Sequence, residues 1–222
     1  MSFRSKNEDR LSSLPEEVLS HILSLMPTKF DVRSCILSKR WRQSWMMVTN
    51  LDFNESHPTC GLDWFMKFVD RVLELCKTSQ VKLFKLHFTR YVVPKSSVSK
   101  WIDKVVRLNV CELDINVRRV GLPQSLFTCK TLTKLSLVVS SNHSNFFNLP
   151  PLLILPCLKT LYISVHCKHF VLKLIHDCSV LENLSLTMAS LDNEDYISNI
   201  PTLKRLELTA RNCITQSCFE CP

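Results

Sequence analysis

Glycine is nearly missing: the 222 residues contain two, Gly61 and Gly121. A loop that cradles phosphates needs several glycines close together, so P-loops and dinucleotide fingerprints are excluded. Neither a GxSxG nor an HExxH pattern occurs, which removes the serine-hydrolase elbow and the zinc-protease helix. No run of 18 apolar residues exists, so no membrane span is expected. The opening MSFRSKNEDR is polar, lacks an apolar core and is not a signal peptide. These absences predict an intracellular chain, in nucleus or cytoplasm, with no membrane partner.

Cysteine is abundant, at eleven, but not patterned for chemistry. Disulfides are rare in reducing compartments. Cys35, Cys76, Cys111, Cys157 and Cys178 stand among apolar neighbours and read as small hydrophobes. Cys218 and Cys221 form one CxxC with no second pair to complete a zinc site. His166 and His169 flank Cys167 and Lys168 without a third and fourth ligand. No metal, cofactor or catalytic residue is expected. The net charge of +8 is spread out, +3 over residues 1–50 and +5 over the rest. A nucleic-acid reader needs a basic stripe, and none is present.

What is there begins with Leu11–Trp45. Pro15 suits the first position of a helix, and Glu16 and Glu17 complement its N-terminus. The helix is expected from Glu16 to about Met26, ending before Pro27. Val18, Ile22 and Leu25 form one stripe, with Leu19, Leu23 and Met26 beside it, so almost half of the circumference is apolar. Thr28-Lys29-Phe30 reads as a turn, Asp31 as the start of a second helix over Val32–Leu37, and Ser38 as the cap of a third that carries Trp41 and Trp45. A unit of about 40 residues rarely buries this much apolar surface by itself, which points to a partner.

Behind it runs a repeat. Apolar residues in the pattern LxxLxL recur at Leu83-Leu86-Phe88, Val110-Leu113-Ile115, Leu132-Leu135-Leu137, Leu158-Leu161-Ile163, Leu181-Leu184-Leu186 and Leu203-Leu206-Leu208. The spacings of 27, 22, 26, 23 and 22 residues lie within the range of leucine-rich repeats. Each unit supplies one short strand, the strands pair in parallel, and helices at Ser96–Arg107 and Phe170–Asp177 return along the convex side. Residues 140–157 read as an irregular loop. Trp64–Cys76 is a helix whose face of Phe65, Phe68, Val69, Val72, Leu73 and Cys76 covers the start of the array. The fold class is α/β, with four parts: a polar tail over 1–10, a three-helix unit over 11–50, a linker and amphipathic helix over 51–80, with a short strand expected at Leu51-Asp52-Phe53, and about six repeats over 81–222.

Several pieces at fixed spacing resemble the plant F-box/leucine-rich-repeat family, including its F-box/FBD/LRR members. They are Leu14-Pro15-Glu16-Glu17, Ile22-Leu23, Leu25-Met26-Pro27-Thr28-Lys29 and Leu37-Ser38-Lys39-Arg40-Trp41-Arg42, followed by Leu122-Pro123, Leu155-Pro156-Cys157-Leu158 and Cys178-Ser179-Val180-Leu181-Glu182. The resemblance implies an F-box that binds the Skp-type adaptor of a cullin–RING (SCF) ubiquitin ligase, with repeats that recruit a target protein and no catalysis in this polypeptide. Leu14, Pro15, Val18, Leu19, Ile22, Leu23 and Trp41 are the expected adaptor-facing residues, although some of them must instead pack the three helices together and the sequence does not divide the two groups. Lys134, Tyr162 and Arg205, on the outward side of the strands, are the expected target-facing ones. The alternative is a repeat scaffold acting outside the ligase, or a decoy that occupies adaptor without delivering a target. The sequence departs from the repeat consensus by lacking its asparagine ladder. It also stops at Pro222 soon after the sixth strand, before the C-terminal domain of many members. QSCFECP supplies no polar cap, so a splice form or truncated product with a fraying last repeat is expected.

Overall fold

A computed structural model describes residues 13–54, 61–140, 154–165, 168–188 and 201–210 of the chain. Residues 141–153 of the expected irregular stretch 140–157, His166, Cys167, the side chain of His169 and the CxxC at 218–221 lie outside the described residues.

The chain opens with three short helices, α1 (Glu16–Ser24), α2 (Thr28–Ser34) and α3 (Lys39–Ser44), the last continued by a 3-10 turn over Trp45–Met47. Ser38 caps α3 as expected, its hydroxyl accepting from the Trp41 N–H at 3.4 Å. The anticipated turn at Thr28–Phe30 is instead the first turn of α2. The fixed geometry of Pro27 starts the helix there, and its carbonyl accepts from the Phe30 and Asp31 N–H groups.

Seven parallel strands follow in one sheet, in sequence order: β1 (Asn50–Asn54), β2 (Leu83–Phe88), β3 (Glu112–Val117), β4 (Lys134–Val139), β5 (Thr160–Ser164), β6 (Asn183–Met188) and β7 (Arg205–Ala210). The helices α4 (Leu62–Leu75), α5 (Lys95–Arg107) and α6 (Lys168–His176) join successive strands, as parallel pairing requires. The result is the expected α/β arrangement, a helical N-terminal unit on a solenoid like that of leucine-rich repeats.

The short strand expected at Leu51-Asp52-Phe53 forms, runs from Asn50 to Asn54 and is the first of the sheet, paired in parallel with β2 from Asn50↔Leu83 to Asn54↔His87. The first repeat, in contrast, is out of phase. Leu83 pairs with Glu112, so the residue matching Val110 is Val81, and the inward set is Val81, Phe84 and Leu86, each 0% exposed. Val48, Leu51 and Phe53 are the corresponding buried set of β1.

Inside, the strands contribute alternate side chains to one continuous apolar core. Aromatic rings thicken its N-terminal half. Phe65 stacks on Phe88 with centroids 4.1 Å apart and meets Trp101 edge-on at 6.4 Å, while Phe53 leans on Phe84 at 5.7 Å. Trp101 keeps its indole N–H satisfied by donating to Asp70 at 2.9 Å, which ties α5 to α4. Asn109 ends α5 with φ at 52°, a left-handed position that asparagine tolerates, and its amide donates to the Ser79 carbonyl of the preceding repeat. At the matching position in the next repeat, the Thr131 hydroxyl donates to the Val110 carbonyl at 2.8 Å, and Thr202, three repeats further on, donates likewise to Leu181. Side chains just ahead of the strands therefore do part of the inter-repeat bonding for which no asparagine ladder exists.

Candidate functional site

The helical unit is fastened to the array rather than tethered. β1 is an edge strand, and an uncovered edge leaves unpaired backbone groups. α2 covers it: the Asp52 N–H donates to Thr28 Oγ1 at 2.8 Å. The Asn50 amide donates to the Ser24 carbonyl at 3.1 Å, fixing the end of α1 to the same strand. Leu19, Leu23, Trp41 and Trp45 join Leu51 and Phe53 in the common core. The helices therefore close the open end of the solenoid, the job a capping repeat does elsewhere.

That closure divides the apolar residues of α1 into two neighbouring stripes. Leu19 and Leu23 are fully buried and Met26 is half-buried against the core. Pro15, Val18 and Leu25 are exposed, and Ile22 is half-buried between them. Leu19, Leu23 and Trp41, expected to face an adaptor, are instead interior residues of the capping unit, because the end of the repeat core needs covering. Leu14 is half-buried. The outward stripe of Pro15, Val18, Ile22 and Leu25 stays available. Ile36 and Leu37, between α2 and α3, add 85% and 53% exposed side chains that sequence reasoning did not single out. Their high exposure has no local signal; both read like ordinary helix-face residues.

Glu16 fixes the start of this face. Its carboxylate receives the Arg40 guanidinium at 3.3 Å and the Ser44 hydroxyl at 2.6 Å, bracing α1 against α3. The second helix carries an anomaly. Asp31 on α2 is 1% exposed, and neither carboxylate oxygen has a hydrogen-bond partner. Burial first, and the nearby Asp52 second, push its carboxyl up to about 8.

The second region is the concave face, a trough of about 770 Å³ across β2–β7. Parallel register sets its side chains in rows. Glu112, Lys134, Thr160, Asn183 and Arg205 form one row, and Lys85, Asp114, Ser136, Tyr162, Ser185 and Glu207 the next. Lys134, Tyr162 and Arg205, picked from the sequence, all line the trough. They are not equivalent. Lys134 lies 3.5 Å from Glu112, one rung of a ladder of opposite charges that includes Lys85 with Asp52 at 3.9 Å and His87 with Asp114 at 2.9 Å. Burial opposes ionisation of Asp114, but contacts from His87 and Ser136 and the charges of His87 and Lys85 outweigh it and hold the carboxyl below its ordinary value. On the β5–β7 side, Tyr162, Arg205 and Glu207 have no ion pair or side-chain hydrogen bond among the described residues.

Nothing in these groups resembles a reaction centre. Among the described residues, no three His, Cys, Asp or Glu side chains gather to hold a metal, and no helix is long and apolar enough to cross a membrane. Burial, with a smaller push from Asp177, raises the Cys178 thiol to about 12, and burial also raises Cys76. Both thiols are far from the ionised form a nucleophile needs.

A helical unit that presents an apolar stripe while capping a solenoid like that of leucine-rich repeats is the class these features define. Residues 11–52 match the F-box domain family. An F-box/LRR-repeat protein of Arabidopsis thaliana is 39% identical over 219 residues, covering 93% of this chain and 42% of that protein. A second is 36% identical, covering 92% of this chain and 56% of the relative, and an FBD-associated F-box protein of the same plant is 34% identical over 90% of the chain and 51% of its own length. The chain therefore carries an F-box domain and is a homologue of plant F-box/LRR-repeat proteins. It spans about half the length of the curated relatives it matches.

Proposed function

We propose that this protein is the target-recognition subunit of an SCF-type cullin–RING ubiquitin ligase. The F-box binds a Skp-type adaptor through the outward stripe of α1, and the trough recruits a protein for ubiquitination. The polypeptide itself is a non-catalytic adaptor, and its place of work is the nucleus or cytoplasm. The observation that carries the reading is the split of α1: one apolar stripe satisfies the fold and a second, Pro15, Val18, Ile22 and Leu25, is left over beside a matched F-box. Contiguous exposed apolar surface on a folded unit marks a partner site.

The test separates docking from folding. Val18→Glu with Leu25→Glu places charge on the exposed stripe and should abolish co-purification with the adaptor while moving stability by no more than about 0.5 kcal/mol. Leu23→Ala should cost about 2–5 kcal/mol and weaken binding only through unfolding. Adaptor binding that survives the double glutamate variant removes α1 from the interface.

A further inference from the structure

Building on the reading of the trough as the target site, we propose that its β5–β7 half binds an extended peptide segment of the target, carrying an acidic and a basic residue at alternate positions.

The two halves of the trough differ in what they leave unsatisfied. Toward β1–β4 the charges neutralise one another across strands, by the pairs Asp52–Lys85 and Glu112–Lys134, and Asp114 is already in contact with His87 at 2.9 Å. A ligand there would have to break contacts already made. Toward β5–β7 the floor is low. β6 carries the short side chains Asn183, Ser185 and Thr187, and the Asn183 amide leans away toward β5, donating to Thr160 Oγ1 at 3.3 Å. Two walls flank this strip. Tyr162, 38% exposed, stands on β5 in the row of Ser185, and Arg205 and Glu207 stand exposed on β7.

Strands lie about 4.8 Å apart, so the walls are separated by roughly 10 Å, which admits one extended backbone along β6. Arg205 and Glu207 are two residues apart on the same face, about 6.6 Å at the rise of a strand. An extended ligand has the same rise, so its own alternate residues match that spacing without strain. A carboxylate opposite Arg205 and an ammonium or guanidinium opposite Glu207 complete the charge pattern. The Tyr162 ring then covers the other flank of the peptide. The mixed sign of the β7 wall argues against a polyanion such as nucleic acid, which would meet Glu207.

The test uses the full chain and two short labelled synthetic peptides, identical except that one carries Asp-x-Lys and the other Lys-x-Asp. Binding is read by fluorescence anisotropy. The wild type should bind one order about tenfold more tightly than the other, with an affinity that falls as salt rises. The double variant Arg205→Glu with Glu207→Arg should bind the opposite order. Ser185→Trp, which fills the strip without touching the charges, should abolish binding of both. Circular dichroism and adaptor co-purification on the same variants establish that they are folded. No binding of either peptide by the wild type, an order preference that the charge swap leaves unchanged, or full binding by Ser185→Trp each overturns the proposal. Because adaptor binding is read separately, failure here leaves the ligase reading standing, and loss of adaptor binding in the wild type would sink that reading alone.

Discussion

Asp31 should make this protein less stable as the pH rises through neutrality. Its carboxyl is 1% exposed, its oxygens lack partners, and burial together with Asp52 moves it from an ordinary 3.8 to about 8. At neutral pH the folded chain keeps the proton, whereas the unfolded chain surrenders it above about pH 4. Between those two values the native state binds the extra proton, so raising the pH favours unfolding. The loss is about 1.4 kcal/mol per pH unit, small below pH 4 and complete above about pH 8. From the ordinary value to pH 7 it reaches about 4 kcal/mol at most, a large part of a typical 5–15 kcal/mol of stability. Asp31→Asn keeps the shape and removes the titration. Urea unfolding of wild type and variant, at intervals from about pH 5 to about pH 8, reads the difference between them and cancels every other titrating group. The variant should gain steadily on the wild type as the pH rises. Parallel stability curves would refute the claim that α2 holds a buried protonated acid.

Three further substitutions probe the array. A Cβ at Gly121 would lie 2.8 Å from the Lys95 carbonyl oxygen and 3.3 Å from Lys95 Cβ, so Gly121→Ala must displace backbone at the start of α5 and should cost about 1–3 kcal/mol in thermal unfolding. Gly61 has open space around it, and Gly61→Ala should change stability by less than about 0.5 kcal/mol. Trp101→Phe preserves most of the buried ring but loses the 2.9 Å bond to Asp70, which keeps Lys100 at 3.1 Å; a loss of about 1–2 kcal/mol in urea unfolding is expected, and none would mean that the indole N–H contributes nothing to α4–α5 docking.

The trough was legible in the sequence even where the first repeat was misread. The stretch around β2 is apolar at Val81, Leu83, Phe84, Leu86 and Phe88, so LxxLxL fits it from Val81 as well as from Leu83. Only pairing with β3, Leu83 against Glu112, decides between them. The slip is two residues, and side chains alternate with period two, so Lys85 and His87 stay on the concave face in either phase. A one-residue slip would have turned the whole strand over. What could not be read was which trough charges neutralise each other, because the partners come from strands about 30 residues away in sequence.

The helical unit failed in a more instructive way. Val18-Ile22-Leu25 and Leu19-Leu23-Met26 are offset by one residue, about 100° around α1, and both are apolar throughout. Periodicity identifies two stripes and has no means of ranking them. The ranking comes from the solenoid: its first strand has an apolar end that must be covered, and the stripe holding Leu19 and Leu23 covers it, together with Trp41. The surplus of apolar side chains that pointed to a partner was therefore two demands superimposed. The internal demand is met by residues at 0–3% exposure, and the stripe left outside holds Val18 and Leu25 at 41% and 73%, where the proposed adaptor contact would fall. An apolar residue in such a unit cannot be assigned to a partner surface until the end of the repeat array it caps has been accounted for.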